Sequence, residues 1–395
     1  MNQLPTTAGV PFHRSHLTGG ERQYLQQVLD SGSIASDGPF TRRCAALLQQ
    51  ETGSAAVLLT PSCTAALEMA ADLCGLKPGD EVIMPSFTFV TTASAFVRCG
   101  ARPVFVDISP ETLNLDPAKV ERAITPRTRA IVAVHYAGVA CQMDALLALA
   151  DAYELVLVED AAHALSGAYQ GRPLGSLGRL GCFSFHDTKN YACGEGGALV
   201  VNDERLTERA EILRDKGTNR RQFLRGAVDK YTWVDVGSSF VPSELACAFL
   251  CAQLEQLEEI RRLRRERYDA YMRQLTPLGD AGLLTLPRIP EDCDSSYHLF
   301  HALTPTAAAR QQLLDHLRRQ NVGAAFHYVP LHDSPVGRRF GRRLGDLPVT
   351  EDVAARLIRL PLYPGLSPHE QQHVVHSVLS GCRLSRPIAD HRRAG

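Results

Sequence analysis

The sequence predicts an α/β protein: a large domain on a mostly parallel sheet, followed by a smaller α/β unit. Three observations predict it. From about residue 57 to residue 201, short runs rich in Val, Ile and Leu alternate with segments whose apolar residues recur at helical spacing. Those runs are apolar nearly throughout, the pattern of strands covered on both faces. After Arg205 the chain turns helical, and a second, shorter alternation then begins near Ser296.

Taken in order, strands are expected at Val57 to Leu59, Glu81 to Pro85, Arg102 to Ile108, Ala130 to Val134, Leu155 to Glu159, Gly181 to Phe185 and Ala198 to Val201. Between them, helical spacing runs over Thr64 to Cys74, Thr91 to Cys99, Pro117 to Ile124 and Met143 to Tyr153. Pro242-Ser243-Glu244 opens one long helix reaching about Gln274, with Ser243 as its cap. The second alternation reads as a strand over Ser296 to Leu303, a helix over Ala307 to Gln320, a strand over Gly323 to Val329 and a helix over His369 to Leu379. This divides the chain into a large domain over 1–245, a connecting helix over 246–275 and a small domain over 276–395, with Ser385 to Gly395 as a loosely ordered tail.

Of the 395 residues, 45% are hydrophobic, enough for a substantial core, and the formal charge of -1 supplies no overall field for nucleic acid or an anionic membrane. Eleven cysteines without a paired framework point to a reducing compartment, with Cys247 and Cys251 as packed core residues. No basic segment leads into an apolar core at the N-terminus and no apolar run reaches membrane-spanning length, so a cytoplasmic protein is expected. The basic run Arg261 to Arg267 reads as a solvated helix face, because Glu255, Glu258, Glu259 and Glu266 supply opposite charges at helical spacing. His298 and His301 would share a face only on a helix; on a strand they make no metal site.

The chemistry is carried by segments far apart in sequence. Lys189 lies in the run from Ser184 to Gly197, and Glu159-Asp160 closes an apolar strand. A lysine can hold a cofactor aldehyde as an imine while a carboxylate keeps a pyridine nitrogen protonated, which together point to pyridoxal 5′-phosphate (PLP). Ser62-Cys63-Thr64 follows a strand and begins a helix, where hydroxyls and free amides can hold a phosphate; Ser184 ends another strand and can reach the same group. Phe89 is a candidate platform for ring stacking, and His163, three residues after Asp160, can face the ring.

Ser62-Cys63-Thr64, Glu159-Asp160-Ala161-Ala162-His163 and the run from Ser184 to Gly197 resemble the DegT/DnrJ/EryC1/StrS family of sugar-nucleotide aminotransferases, over nearly the whole chain from Val10-Pro11-Phe12 onward. The resemblance implies the aspartate aminotransferase fold, PLP-dependent transferase fold type I, and a homodimer with active sites at the subunit interface. It also implies that Lys189 is the imine-forming lysine and base, Asp160 the partner of the pyridine nitrogen, Ser62, Cys63, Thr64 and Ser184 the phosphate cradle, Phe89 the stacking residue and His163 a cofactor contact. The segments Lys216 to Arg220, Asp229 to Trp233 and Asp235 to Phe240 are similar to the dTDP-4-amino-4,6-dideoxygalactose transaminases. By that likeness the substrates are dTDP-4-keto-6-deoxyglucose and L-glutamate, and the product enters a surface polysaccharide such as enterobacterial common antigen. Many members carry Gly-Tyr-Asn-x-Arg here, the Asn reaching the phosphate of the neighbouring subunit's cofactor. This chain has Ser239 and Val241 at those places, which leaves Ser239 as the candidate contact.

His327 and Tyr328 resemble the family's loop over the sugar nucleotide, and Tyr191 and Lys216 are further candidates for sugar hydroxyls or diphosphate. Two other readings are weighed: a C3 aminotransferase or 3-dehydratase, and a PLP-binding regulator without turnover. The dehydratase branch carries histidine in place of Lys189.

Overall fold

The computed structural model describes residues 9–384. Helices α1 (Glu21–Ser31) and α2 (Pro39–Thr52), which the apolar spacing did not announce, precede the sheet and end on left-handed Gly32 and Gly53. The expected alternation follows: β1 (Ala56–Thr60), α3 (Cys63–Leu73), β2 (Glu81–Pro85), α4 (Val90–Arg98), β3 (Arg102–Val106), α5 (Pro117–Ala123), β4 (Thr128–Val134), α6 (Met143–Ala152) and β5 (Val156–Asp160). Short β6 (Ala168–Tyr169) and β7 (Arg172–Pro173) lead to β8 (Leu180–Ser184), β9 (Gly197–Val201), α7 (Thr207–Arg214) and α8 (Arg220–Leu224). Helices α9 (Glu244–Leu254) and α10 (Leu257–Asp280) then carry the chain to β10 (Cys293–Asp294), β11 (Phe300–Leu303) and α11 (Ala307–Arg319). The chain closes with α12 (Pro335–Phe340), β12 (Arg342–Arg343), α13 (Pro348–Arg356), β13 (Leu357–Leu360) and α14 (Pro368–Leu384).

The main sheet has the order β1-β9-β8-β5-β4-β2-β3-β12. Strand β9 runs antiparallel to both β1 and β8, and every other pairing is parallel. Consequently β1, β2, β5 and β8 all end on one edge, so Thr60, Pro85, Asp160 and Ser184 share it, the usual ligand edge of such sheets. One face is covered by Phe40, Leu48, Leu146 and Leu250, the other by Leu67, Met69, Phe96 and Leu213. A separate core around Tyr271, Phe300, Leu313 and Val375 holds the C-terminal unit. That unit is tied back to the main sheet by β12, whose Arg342 donates to both oxygens of buried Glu81 at 2.9 and 2.8 Å. The Arg342 hydrogen bonds hold the Glu81 carboxyl down to about 2.

Three expectations need correction. The long helix from Ser243 to Gln274 is two helices broken at Glu255-Gln256, although Ser243 does cap the first by accepting from Ala246 N at 3.3 Å. Tertiary contacts account for the break: Gln253 Nε2 donates to His16 O and Glu21 Oε1, and Glu255 accepts from Tyr24 Oη at 2.7 Å. The segment 323–329 is no strand; it meets the β13 edge through the Ala325–Arg359 bridge and the Arg359 side chain, while Gly323 packs under the backbone of Phe12, where a Cβ would stand 2.4 Å from the Phe12 nitrogen. The expected strand from Ser296 is regular only from Phe300, since Tyr297 takes a left-handed φ of 54°. The tail from Ser385 lies outside the described residues.

Candidate active site

At the shared strand edge lies a cavity of about 500 Å³, lined among others by Ser62, Cys63, Thr64, Phe89, Asp160, His163, Ser184, Lys189, His327 and Tyr328. These ten residues, drawn from segments up to 266 positions apart (328 − 62), include both members of the lysine and carboxylate pair.

The two carboxylates of the Glu159-Asp160 pair face opposite sides of the sheet because successive strand residues alternate. Glu159 is fully buried and accepts from the backbone amides of Gly175, Leu177 and Gly178 at 2.6 to 2.8 Å and meets His135 Nε2 at 2.8 Å; it is a structural anchor. Asp160 lines the cavity instead. Thr92 Oγ1 donates to its Oδ2 at 2.6 Å, Ala162 N donates to its Oδ1 at 3.3 Å, and Thr88 Oγ1 lies 2.8 Å from Thr92 Oγ1.

Lys189 sits in a loop that folds back on itself, with Phe185 N donating to Gly196 O at 2.8 Å and Lys189 N to His186 O at 2.8 Å. Burial lowers its amine from 10.5 to about 8, opposed by the nearby Cys63 and Asp160. The same burial, with Asp160, pushes the Cys63 thiol up, so it stays protonated. Gly197 lets β9 approach the start of α3: a Cβ there would stand 2.4 Å from the carbonyl carbon of Ser62. Ser62 Oγ accepts from Ala65 N at 3.1 Å, so it is a helix cap and a cavity wall at once.

The opposite wall is rich in imidazole. His163 stacks on His298 with ring centroids 4.1 Å apart, and His298 Nδ1 lies 2.9 Å from Asn190 Oδ1. His327 Nδ1 meets Tyr136 Oη at 3.1 Å. Burial holds His163, His298 and His327 below the ordinary imidazole value, so all three are neutral near pH 7. His163 Nε2 lies 3.5 Å from Tyr328 Oη, while its Nδ1 is buried with no hydrogen-bond partner. Phe89, at the N-cap of α4, keeps 55% of its surface exposed although it lines the cavity.

These residues fit PLP. The unpartnered Nδ1 of His163 and the exposed Phe89 ring are groups that a bound aromatic ring would satisfy, and Ser62, Thr64 and Ser184 converge beside the amides at the start of α3.

Three expected site residues lie outside this subunit's cavity, and for Ser239 that agrees with an expected contact across to the neighbouring subunit. Tyr191 is buried in the core, its hydroxyl 2.7 Å from Ser166 Oγ and donating to Leu257 O at 3.1 Å, because the residue after Asn190 turns away from the cavity. Lys216, on a left-handed φ of 62°, pairs with Asp215 at 3.0 Å outside the cavity. Ser239 is exposed in a backbone bridge with Asp215 and does not reach the cavity of its own subunit. The basic run is also only partly solvated: Arg262 pairs with Glu259 and Glu266 as expected, but Arg264 is buried. Thr88, Thr92, Tyr136 and Arg359 lie outside the motifs and emerge only from the tertiary arrangement, as does the pairing of Asn190 with His298.

The sequence profile of the DegT/DnrJ/EryC1/StrS aminotransferase family matches residues 16–379. The chain belongs to this family. Its fold is the type I α/β fold of PLP-dependent transferases, and it is a PLP-dependent sugar aminotransferase. It is 35% identical over 374 residues to the spore coat polysaccharide biosynthesis protein SpsC of Bacillus subtilis, covering 93% of this chain and 96% of that one. A GDP-perosamine synthase of Escherichia coli O157:H7 is 30% identical over 370 residues, 93% of this chain and 97% of that one. The solved aminotransferase TlmJ of Streptoalloteichus hindustanus superposes with a TM-score of 0.88 at 31% identity, covering 95% of this chain and all of that one. Among the described residues of this aminotransferase, no helix is long and apolar enough to cross a membrane.

Proposed function

We propose that this aminotransferase moves the amino group of L-glutamate to C4 of dTDP-4-keto-6-deoxy-D-glucose, giving dTDP-4-amino-4,6-dideoxy-D-galactose and 2-oxoglutarate. The observation that carries the reading is one cavity holding a lysine with a lowered amine pKa, a hydrogen-bonded aspartate and an unpartnered histidine nitrogen. The dTDP sugar and C4 are supported by the likeness of the segments around Lys216, Lys230 and Ser238 to the corresponding transaminases. The similarity to a GDP-perosamine synthase and to SpsC supports a nucleotide-linked amino sugar destined for a surface polysaccharide, of which enterobacterial common antigen is the expected case.

When bound, PLP supplies an aldehyde that condenses with amines and a ring that takes up electrons. Ser62, Cys63, Thr64 and Ser184 would hold its phosphate, Phe89 would cover its ring and His163 would contact it. Asp160, fixed by Thr92, would pair with the pyridine nitrogen and keep it protonated. Lys189 would hold the aldehyde until the donor's amine displaces it, and the freed amine would then take the proton from the donor's α-carbon and, in the second half, deliver a proton to C4 of the sugar. His327 and Tyr328 position the sugar nucleotide. The protein works as a cytoplasmic homodimer, a reading supported by the exposed Leu224, Tyr231, Trp233 and Val236, an apolar group that a second subunit would cover.

The test incubates the protein with PLP, L-glutamate and dTDP-4-keto-6-deoxyglucose and determines the product by NMR. An axial amine at C4 is expected. Amination at C3 would overturn the narrower assignment, and no amination of any keto-sugar nucleotide would favour a regulator without turnover.

A further inference from the structure

Charge around the cavity is unbalanced. Lys189, Arg264 and Arg359 line it against Asp160 and Glu195, and Glu195 is largely exposed and leans toward His186 at 3.7 Å. The two arginines differ in what they already hold. Buried Arg264 donates to the carbonyls of Tyr297, His298 and Leu362 and braces the loop before β11. Arg359, on β13, shares the single carbonyl of Phe326 between Nε and Nη2 at 3.3 and 2.9 Å, and its guanidinium carbon lies 4.9 Å from the centroid of the Phe12 ring. Among the described residues its Nη1 has no hydrogen-bond partner and its charge no carboxylate. A guanidinium steadied by a carbonyl and a ring, with its charge unanswered, is preorganised for a planar anion.

We propose that Arg359 binds a carboxylate of the amino-acid donor during the first half-reaction. This rests on the aminotransferase reading of the same cavity and names the residue that receives the donor. An amino acid carries its carboxylate on the carbon that bears the amine, so its anchor has to lie beside Lys189. Arg359 meets that condition in lining the same cavity as Lys189, His163 and His327. The diphosphate of a sugar nucleotide offers the same anionic chemistry, but the width of the sugar ring separates it from C4.

The two half-reactions distinguish these sources. PLP-loaded wild type, Arg359→Gln and Arg359→Lys are mixed with L-glutamate alone and the change in cofactor absorbance is followed; the aminated forms are then mixed with the keto-sugar nucleotide alone. Arg359→Gln is expected to raise the half-saturating glutamate concentration about tenfold or more, the loss of one charge-assisted hydrogen-bond pair, with Arg359→Lys in between. The sugar half-reaction should change by less than about threefold, as for a group outside its contacts. Binding of maleate, a dicarboxylate without an amine, should weaken in parallel with glutamate. Should the glutamine variant fail to fold or to retain cofactor, the lysine variant decides by the same readout. Unchanged glutamate saturation overturns the proposal, and a larger defect with the sugar nucleotide overturns it in favour of the diphosphate. Wild type that responds to glutamate yet aminates no keto-sugar nucleotide would sink the proposed substrate and leave the result for Arg359 standing.

Discussion

The two walls of the cavity are made by different means. On the main-sheet side, Asp160, Ser184 and the start of α3 stand at the ends of adjoining strands, and each is fixed by ladder or cap hydrogen bonds. On the C-terminal side, His298, His327 and Tyr328 stand on irregular segments, positioned by ring contacts and by side-chain bonds to Asn190 and Tyr136. The first wall is rigid backbone carrying a few polar atoms. The second is a set of side chains whose places depend on one another. Cofactor chemistry needs the first kind, because a ring nitrogen and an imine carbon tolerate little displacement; substrate choice can be built on the second.

The largest expected effect breaks the rigid wall. Lys189→Ala should abolish both transamination and the absorbance of lysine-bound PLP, and full turnover in that variant would refute the assignment. Next, the adjacent carboxylates should separate. Asp160→Asn should lower kcat by about 10²- to 10³-fold with little loss of stability, as for a charged group aimed at the reacting ring. Glu159→Gln should instead cost about 2 to 4 kcal/mol in urea unfolding, because an amide nitrogen would face the donors of residues 175–178. Equal kinetic damage from both would remove the contrast.

A pH series sharpens the comparison further. The folded amine of Lys189 is lowered to about 8, so its neutral, nucleophilic form grows as pH rises toward that value. Capture of PLP by the apoprotein should therefore accelerate about tenfold per unit below pH 8 and level off above it; a rise continuing to pH 10 would contradict the lowered amine. Thr92→Val, which takes one donor from Asp160 Oδ2, should reduce kcat by about five- to tenfold and leave the KM for glutamate unchanged. Smallest of all, Tyr191→Phe should cost about 1 kcal/mol of stability through the lost Ser166 and Leu257 bonds and leave both KM values within about twofold. A marked rise in the sugar KM would restore Tyr191 to the substrate site.

Much of the main sheet was legible because each strand is a continuous apolar run, and local pattern alone marks such runs. Strands over 81–85 and 197–201 fall within one residue of expectation, and the helices between them within one or two. The break at Glu255-Gln256 was not legible, since both residues suit a helix and the interruption comes from Tyr24, Glu21 and His16 more than 200 positions away. The same holds in the site. Ser62, Asp160 and Lys189 stand in contiguous motifs, whereas Thr92, Tyr136 and Arg359 act through partners that no spacing rule connects to them. Tyr191 and Lys216 misled because nearness to Lys189 or to a motif in sequence does not determine which way a side chain leaves the backbone.

What the sequence by itself determined is the alternation of strands and helices, the chemistry of a lysine paired with an acid, and the family that combines them, because hydrophobic period and reactive side-chain type are local properties. Only the tertiary structure decided which donors hold Glu159 and Asp160 in place, which histidines stay neutral and which arginine keeps an unanswered charge. Those depend on burial and on partners brought in from distant segments, and a linear chain does not contain either until the sheet has formed.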